Sequence, residues 1–192
     1  MRAVVQRVSR AAVREVPSGE ILGSIGAGTD GPDAPGLCVL LGIGHGDTPA
    51  EADWLADKLT GLRIFPDLEP ELAPGDPAAA ALLGKRAGNM NRALREVGGA
   101  LLVISQFTLF ADISRGRRPS FTAAMPPAEA EALYEYFVAA LRRLGYRVAT
   151  GRFGALMAVE LCNEGPVTLW LDTREAKKGR DKAADQPPSQ GS

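Results

Sequence analysis

The sequence predicts a single α/β domain, and three observations predict it. A chain of 192 residues is long enough to bury one sizeable core and short for two. Apolar runs of strand length recur from residue 2 to residue 171, bounded by Gly, Pro, Asn and Asp. Between them stand two longer stretches whose apolar residues repeat at helical spacing, after Thr48 and after Pro126.

Residues 2–8 alternate apolar and polar, the period of a half-buried strand, and the pattern continues through Ala11 to Val16. Pro17-Ser18-Gly19 predicts a turn, and Ile21 to Ile25 a second short strand. Residues 26–36 are rich in Gly, Asp and Pro and predict a loop. Leu37 to Ile43 is almost wholly apolar, as a central strand buried on both faces requires. Thr48 is placed as an N-cap, Pro49 suits the first turn, and Glu51 completes a capping box, so a helix follows. Ala52, Leu55, Leu59 and Leu62 form its core face. Leu62 to Phe65 then reads as strand, stopped by Pro66. Residues 67–88 predict an elaborated surface loop with a short helix at Pro77 to Leu83. Ala100 to Ile104 is a second central strand, delivering Ser105-Gln106-Phe107-Thr108-Leu109. Pro126-Pro127 opens a long helix ending near Gly145, with Leu133, Phe137, Leu141 and Leu144 as its apolar stripe. Tyr146 to Thr150, Leu156 to Leu161 and Val167 to Leu171 are the closing strands. From residue 174 polar and charged residues replace the apolar ones. The domain is therefore set at 1–173, with a disordered polar tail at 174–192.

Composition excludes several classes of function. The two cysteines, Cys38 and Cys162, stand far apart in apolar runs, which predicts two buried reduced thiols. No Cys/His cluster has zinc spacing, so no metal is expected. Met1 to Arg10 has no apolar core of signal-peptide type, and no run reaches membrane-spanning length. A cytoplasmic protein with no membrane partner is the expectation. A net charge of -1 weighs against a protein that coats long nucleic acid. A local cluster, Arg115, Arg117 and Arg118, could still grip the end of an RNA, or be a solvated loop.

The usual catalytic devices are missing. The single histidine, His45, sits in a glycine-rich turn and reads as a bystander rather than a base. There is no G-x-S-x-G elbow, no H-E-x-x-H and no Walker loop. Gly42-Ile43-Gly44-His45-Gly46 lacks the spacing and lysine of a phosphate cradle and predicts a strand-to-helix turn. Two segments are odd. Ser105 to Leu109 places polar residues at the end of a buried strand. Asn163-Glu164-Gly165-Pro166-Val167-Thr168 interrupts two apolar strands with a proline that cannot donate to a ladder.

At these two segments the sequence resembles the D-aminoacyl-tRNA deacylase family, formerly called D-tyrosyl-tRNA deacylase, whose signatures are S-Q-F-T-L and N-x-G-P-x-T. Val5-Gln6-Arg7-Val8, Arg63-Ile64-Phe65, Met90-Asn91, Arg115 to Phe121 and Thr150-Gly151-Arg152-Phe153 also look like family blocks in family order. The resemblance runs from Met1 to about Asp172. Residues 27–35 and 68–88 look like loop insertions, and Glu164 stands where Asp is common.

The resemblance implies a fold, an activity and a site. The fold is a curved, barrel-like mixed sheet with helices packed outside, in a homodimer with its active site at the subunit interface. The activity is hydrolysis of the ester joining a D-amino acid, or glycine, to the aminoacyl-tRNA 3′ end, without a cofactor. Main-chain amides around Gln106, Phe107 and Thr108 would hold the oxyanion. Ser105, Phe153, Met157 and Asn163 would contact substrate. Gly165 and Pro166, in a cis peptide held by Arg7, would exclude L side chains from the partner's pocket. An aminoacyl ester is already activated and needs orientation and oxyanion stabilisation more than a strong base, which suits a chain without a triad. Thr108 has no obvious base beside it, so a route assisted by the ribose 2′-hydroxyl is preferred to a threonine nucleophile. The alternatives are a non-enzymatic nucleic-acid-binding protein using the basic tail at Lys177 to Lys182, a hydrolase of other aminoacyl esters, and a purely structural dimer.

Overall fold

The computed structural model describes residues 1–29, 34–67 and 89–175. Its backbone is a six-stranded mixed sheet with two helices packed on one face. β1 (Arg2–Glu15), β2 (Ile21–Gly26) and β3 (Gly36–Gly42) lead into α1 (Pro49–Gly61). β4 (Phe65–Pro66) and β5 (Met90–Arg92) form a separate two-stranded ribbon. β6 (Leu101–Ser105) then precedes a 3-10 turn (Phe107–Phe110), α2 (Pro127–Arg143), β7 (Val148–Thr150) and β8 (Met157–Asp172). The order is β2-β1-β3-β6-β7, with β8 on the other edge of β1. β3, β6 and β7 run parallel; β1 runs antiparallel to β2, β3 and β8.

Local chemistry explains both helices. In α1 the Thr48 hydroxyl accepts from Ala50 N at 3.3 Å and Glu51 Oε2 accepts from Thr48 N at 3.0 Å. That reciprocal pair satisfies amides the helix cannot satisfy itself. A helix of 13 residues is marginal alone, so packing decides. Ala52, Leu55, Ala56 and Leu59 are fully buried against Ala130, Leu133, Phe137 and Leu141 of α2 and the β3–β6 face. Tyr134 of α2 donates its hydroxyl to Val103 O at 2.8 Å, and burial pushes that phenol up to about 12.

The sheet curls until its two ends meet. At Gly23 in β2 a Cβ would stand 2.6 Å from Thr150 O and 3.0 Å from Thr150 N in β7. The close approach closes the sheet into the barrel-like form that the resemblance implies. Inside lies a second apolar cluster that includes Val13, Ile25, Cys38, Leu102 and Ile104.

Four expectations need correction. The closing strands expected at Leu156–Leu161 and Val167–Leu171 belong to one strand, β8, whose ladder to β1 is interrupted by a bulge of Glu164 to Val167, between Asn163 level with Val8 and Thr168 level with Gln6. The reason is local: Asn163 Oδ1 accepts from Val167 N at 3.0 Å and Asn163 Nδ2 donates to Thr168 Oγ1 at 2.9 Å, replacing ladder bonds across a register shift. Leu144 lies beyond the end of α2 and is 38% exposed, outside the core stripe. Cys162 is exposed, because β8 is exposed on both faces over residues 158–162; Cys38 is buried, which pushes its thiol up to about 11. Pro66 does not stop β4 but belongs to it, paired with Met90. The helix expected at Pro77 to Leu83, and the tail beyond residue 175, lie outside the described residues.

A side chain at Gly23 must push two backbones apart. Gly23→Ala is expected to lower the unfolding free energy by about 1–3 kcal/mol, the usual cost of overpacking. Urea unfolding of both proteins measures this, and an unchanged midpoint would show that the two sheet ends are not in contact.

Candidate active site

A cleft of about 620 Å³ opens at the carboxyl ends of the two central parallel strands. Its floor is apolar, from Leu41, Ile43, Met125 and Ala130, and its polar groups come from His45, Ser105 and Gln106. Parallel strands of an open α/β sheet place their loops here, so the location follows from topology.

β6 ends as Gln106 N donates to Leu41 O at 2.7 Å. The chain then tightens into the 3-10 turn, where Leu109 N donates to Gln106 O at 3.3 Å. The amides of Phe107 and Thr108 precede that bond and have no acceptor within the turn. Phe110 anchors the turn from below. It needs Gly44 to do so, because a Cβ there would collide with the Phe110 ring. The glycines that read as a turn signal thus make room for the 3-10 turn as well. Phe107 is left 58% exposed, its ring edge-on to Phe121 with centroids 5.1 Å apart.

The turn is clamped by the ends of the described chain. Arg2 donates through Nη1 to Leu109 O at 2.9 Å and through Nε to Asp172 Oδ2 at 3.0 Å, with its guanidinium 4.6 Å above the Phe110 ring. Asp47 is buried and fixes the Gly44–Asp47 turn by accepting from Gly44 N at 2.7 Å. Its other oxygen accepts from the Met1 ammonium at 2.6 Å. Burial holds that amine below its ordinary value, and the Asp47 carboxylate opposes the shift. Arg174 donates to His45 O at 2.8 Å, so His45 is held at the cleft wall from its backbone.

The residues singled out in the sequence fall into two groups. Ser105, Gln106, Phe107 and Phe153 line the cleft. Thr108 lies beside it, exposed, its Oγ1 accepting from Gln106 Nε2 at 2.5 Å. Asn163, Gly165 and Pro166 lie elsewhere. They stand on β8 level with Arg7 of β1, whereas Ser105 is level with Ala3 through Leu41. Four residues along the strands is roughly 13 Å. Within the chain the two segments therefore do not meet. Met157 packs on Gly151, away from the cleft. Sequence reasoning gave no site role to Phe121, Met125 or Ala130; Phe121 stood only as the end of the block from Arg115, and no motif set Met125 or Ala130 apart.

The second group is rigidly held. Arg7 is 6% exposed and donates through Nε to Glu164 O at 3.2 Å and through Nη1 to Ile64 O at 2.6 Å. Gly165 has φ +119, and a Cβ on it would stand 2.9 Å from Arg7 Nη2. The Gly165-Pro166 peptide is cis, and both residues are exposed.

Known proteins are similar to this chain in sequence and in fold. The family model described as D-Tyr-tRNA(Tyr) deacylase matches residues 4–172. A D-aminoacyl-tRNA deacylase of Symbiobacterium thermophilum is 47% identical over 175 residues, covering 91% of this chain and 97% of that protein. One from Roseiflexus sp. is 48% identical over 182 residues, covering 95% and 99%. Among solved structures, a c-Myc DNA unwinding element binding protein superposes with a TM-score of 0.70 at 35% identity, covering 90% of this chain and 98% of that one. A probable eukaryotic D-amino acid tRNA deacylase shares the fold at 17% identity, with a TM-score of 0.63 over 89% and 98% of the two chains. With a family model spanning both motif segments and relatives near half identity over almost their whole length, the chain belongs to the D-Tyr-tRNA(Tyr) deacylase family.

Proposed function

We propose that this protein hydrolyses the ester between a D-amino acid and the 3′ end of a tRNA, releasing the free D-amino acid and tRNA. The observation that carries the reading is the 3-10 turn at the cleft, which offers two main-chain amides to an oxygen that becomes negative. Water adds to the ester carbon, with its proton passed through the ribose 2′-hydroxyl. The oxyanion rests on the Phe107 and Thr108 amides. The bond to the ribose 3′-oxygen then breaks, and that oxygen takes the proton. No cofactor enters these steps. Thr108 makes a poor nucleophile in this arrangement, since its hydroxyl already accepts a bond from Gln106 and no histidine, lysine or carboxylate is bonded to it.

Selection of the D hand is assigned to the main chain of Gly165 and Pro166, presented to the cleft of a second copy. Two observations support this. The loop is remote from the cleft of its own protomer, and the outer face of β8 leaves Val159, Leu161 and Trp170 exposed at 38%, 36% and 49%, as a face covered in a twofold dimer would. A fixed barrier discriminates mirror-image centres by exclusion, which added attraction does poorly. Glycine has no side chain to exclude, so glycyl-tRNA passes the same barrier. A second reading, nucleic-acid binding without catalysis, is favoured only by the 35% identical structure of a DNA unwinding element binding protein.

Matched D- and L-tyrosyl-tRNA test the reading directly. Deacylation of the D ester at least about a hundredfold faster than the L ester is expected, a difference near 2.7 kcal/mol in barrier. Hydrolysis of neither ester would favour the binding-only reading. Thr108→Ala is expected to keep kcat/KM within about tenfold of wild type, and an acyl-enzyme trapped on Thr108 would reverse the mechanism.

Removing the clamp loosens the barrier. Arg7→Met leaves the Glu164 and Ile64 carbonyls without their donor, and the D-to-L rate ratio is expected to fall by about tenfold or more. Asn163→Ala, which frees the other end of the loop, is expected to lower the same ratio with less loss of stability. A full D-to-L ratio in both folded variants would remove the loop from chiral selection.

A further inference from the structure

We propose that the loop of residues 113–119 binds the phosphate backbone of the single-stranded 3′ end of an RNA as it crosses the mouth of the cleft. The inference rests on the tRNA substrate proposed above and adds where that substrate's charge is held.

The loop is built into the cleft wall at both ends. It leaves from Ala111, next to the 3-10 turn, and closes through an antiparallel bridge in which Asp112 N donates to Ser120 O at 2.7 Å and Ser120 N to Asp112 O at 2.9 Å. It returns directly into Phe121 and Thr122, which line the cleft. The bridge pins both ends of the loop beside residues that line the cleft, Phe107 on one side and Phe121 on the other.

The tip carries Arg115, Arg117 and Arg118, all exposed. Among the described residues none of the three has an ion-pair or hydrogen-bond partner. Other arginines do: Arg2 pairs with Asp172, Arg14 with Glu160, Arg143 with Asp53 and Arg152 with Glu15 and Glu20. Asp112, the acid at the foot of the loop, is already engaged: the Ser114 hydroxyl and then the Ser114 amide, which donates to its carboxylate at 2.9 Å, hold it below its ordinary value. Three unpaired guanidinium groups on a chain of net charge -1 form a concentrated local field. The guanidinium fork matches phosphate oxygens two at a time, which favours a phosphodiester over a scattered acidic peptide.

The test is binding of deacylated tRNA by fluorescence anisotropy, so that it does not depend on turnover. The triple variant Arg115→Ala/Arg117→Ala/Arg118→Ala is expected to bind about tenfold or more weaker at low salt. Its plot of log affinity against log salt should be shallower by about two, the contribution of three phosphate contacts on a single strand. A control variant, Lys58→Ala/Arg63→Ala/Arg147→Ala, removes the same charge. Lys58 lies in the last turn of α1 and Arg147 just before β7, which begins level with Leu101, so those two sites stand at the other end of the sheet from the cleft. The control is expected to bind like wild type. Equal loss in both variants would reduce the effect to net charge, and wild-type affinity and salt slope in the loop variant would overturn the proposal. Either outcome is read separately from the D-tyrosyl ester assay: loss of binding in the loop variant of a protein with no esterase activity would leave the loop an RNA contact and remove the enzymatic reading.

Discussion

Everything in this fold is hung from one shared strand. β1 gives its whole length to β8 on one edge. On its other edge it pairs with β3 from Arg2 to Val8, then with β2 from Arg10 to Arg14. A strand can serve two neighbours on one edge only by changing direction between them. Arg7 and Val8 are buried in succession, which breaks the alternation, and the register against β8 slips on either side of Val8. Ala3 and Val5 belong to the core under the helices, while Val8, Ala11 and Val13 belong to the barrel interior. The same bend sends β2 around to meet β7. It also places Arg2 under the turn of the cleft and Arg7 under the Gly165 loop, two arginines five residues apart serving two separate segments.

Much of this was legible in the residues. The capping box at Thr48, the two-sided apolar strands at Leu37 and Ala100 and the proline start of α2 are local signals, and local physics decides them. The polar residues at the end of β6 were also visible, because a buried strand that ends in Ser-Gln has few structural reasons to do so. What was not legible is what depends on distant partners. The exposure of Cys162 follows from β8 lying exposed on both faces over residues 158–162, and an apolar run cannot say that neither of its faces is covered within the chain. The return of β8 to its ladder after the bulge at Glu164 to Val167 depends on one asparagine side chain standing in for ladder bonds. Phe121 and Met125 reach the cleft only because Gly44 bridges Ala124 and Met125 N donates to Ile43 O at 3.0 Å. No spacing rule contains those contacts. The resemblance expected Gly165 and Pro166 to serve a partner's pocket rather than their own, and within the chain the two motif segments do stand apart.

That separation explains an otherwise uneconomical feature, the investment of buried charge near both segments. Arg7 is nearly buried, and the Met1 ammonium and Asp47 are buried together. Buried ion pairs are weak contributors to net stability, because desolvation offsets most of the attraction. Their value is positional: a charged partner with fixed hydrogen-bond directions tolerates few alternative geometries. At the cleft the pair sets the Gly44–Asp47 turn, on which Phe110 and then the 3-10 turn are seated. At the loop Arg7 ties Glu164 to Ile64 across two elements. A reaction that needs little chemical help but strict placement of one carbonyl and one stereocentre puts its demands on geometry. On the proposed reading both demands fall on main-chain atoms, and main-chain atoms cannot be tuned by changing a side chain. They can only be held, and the buried charges hold them.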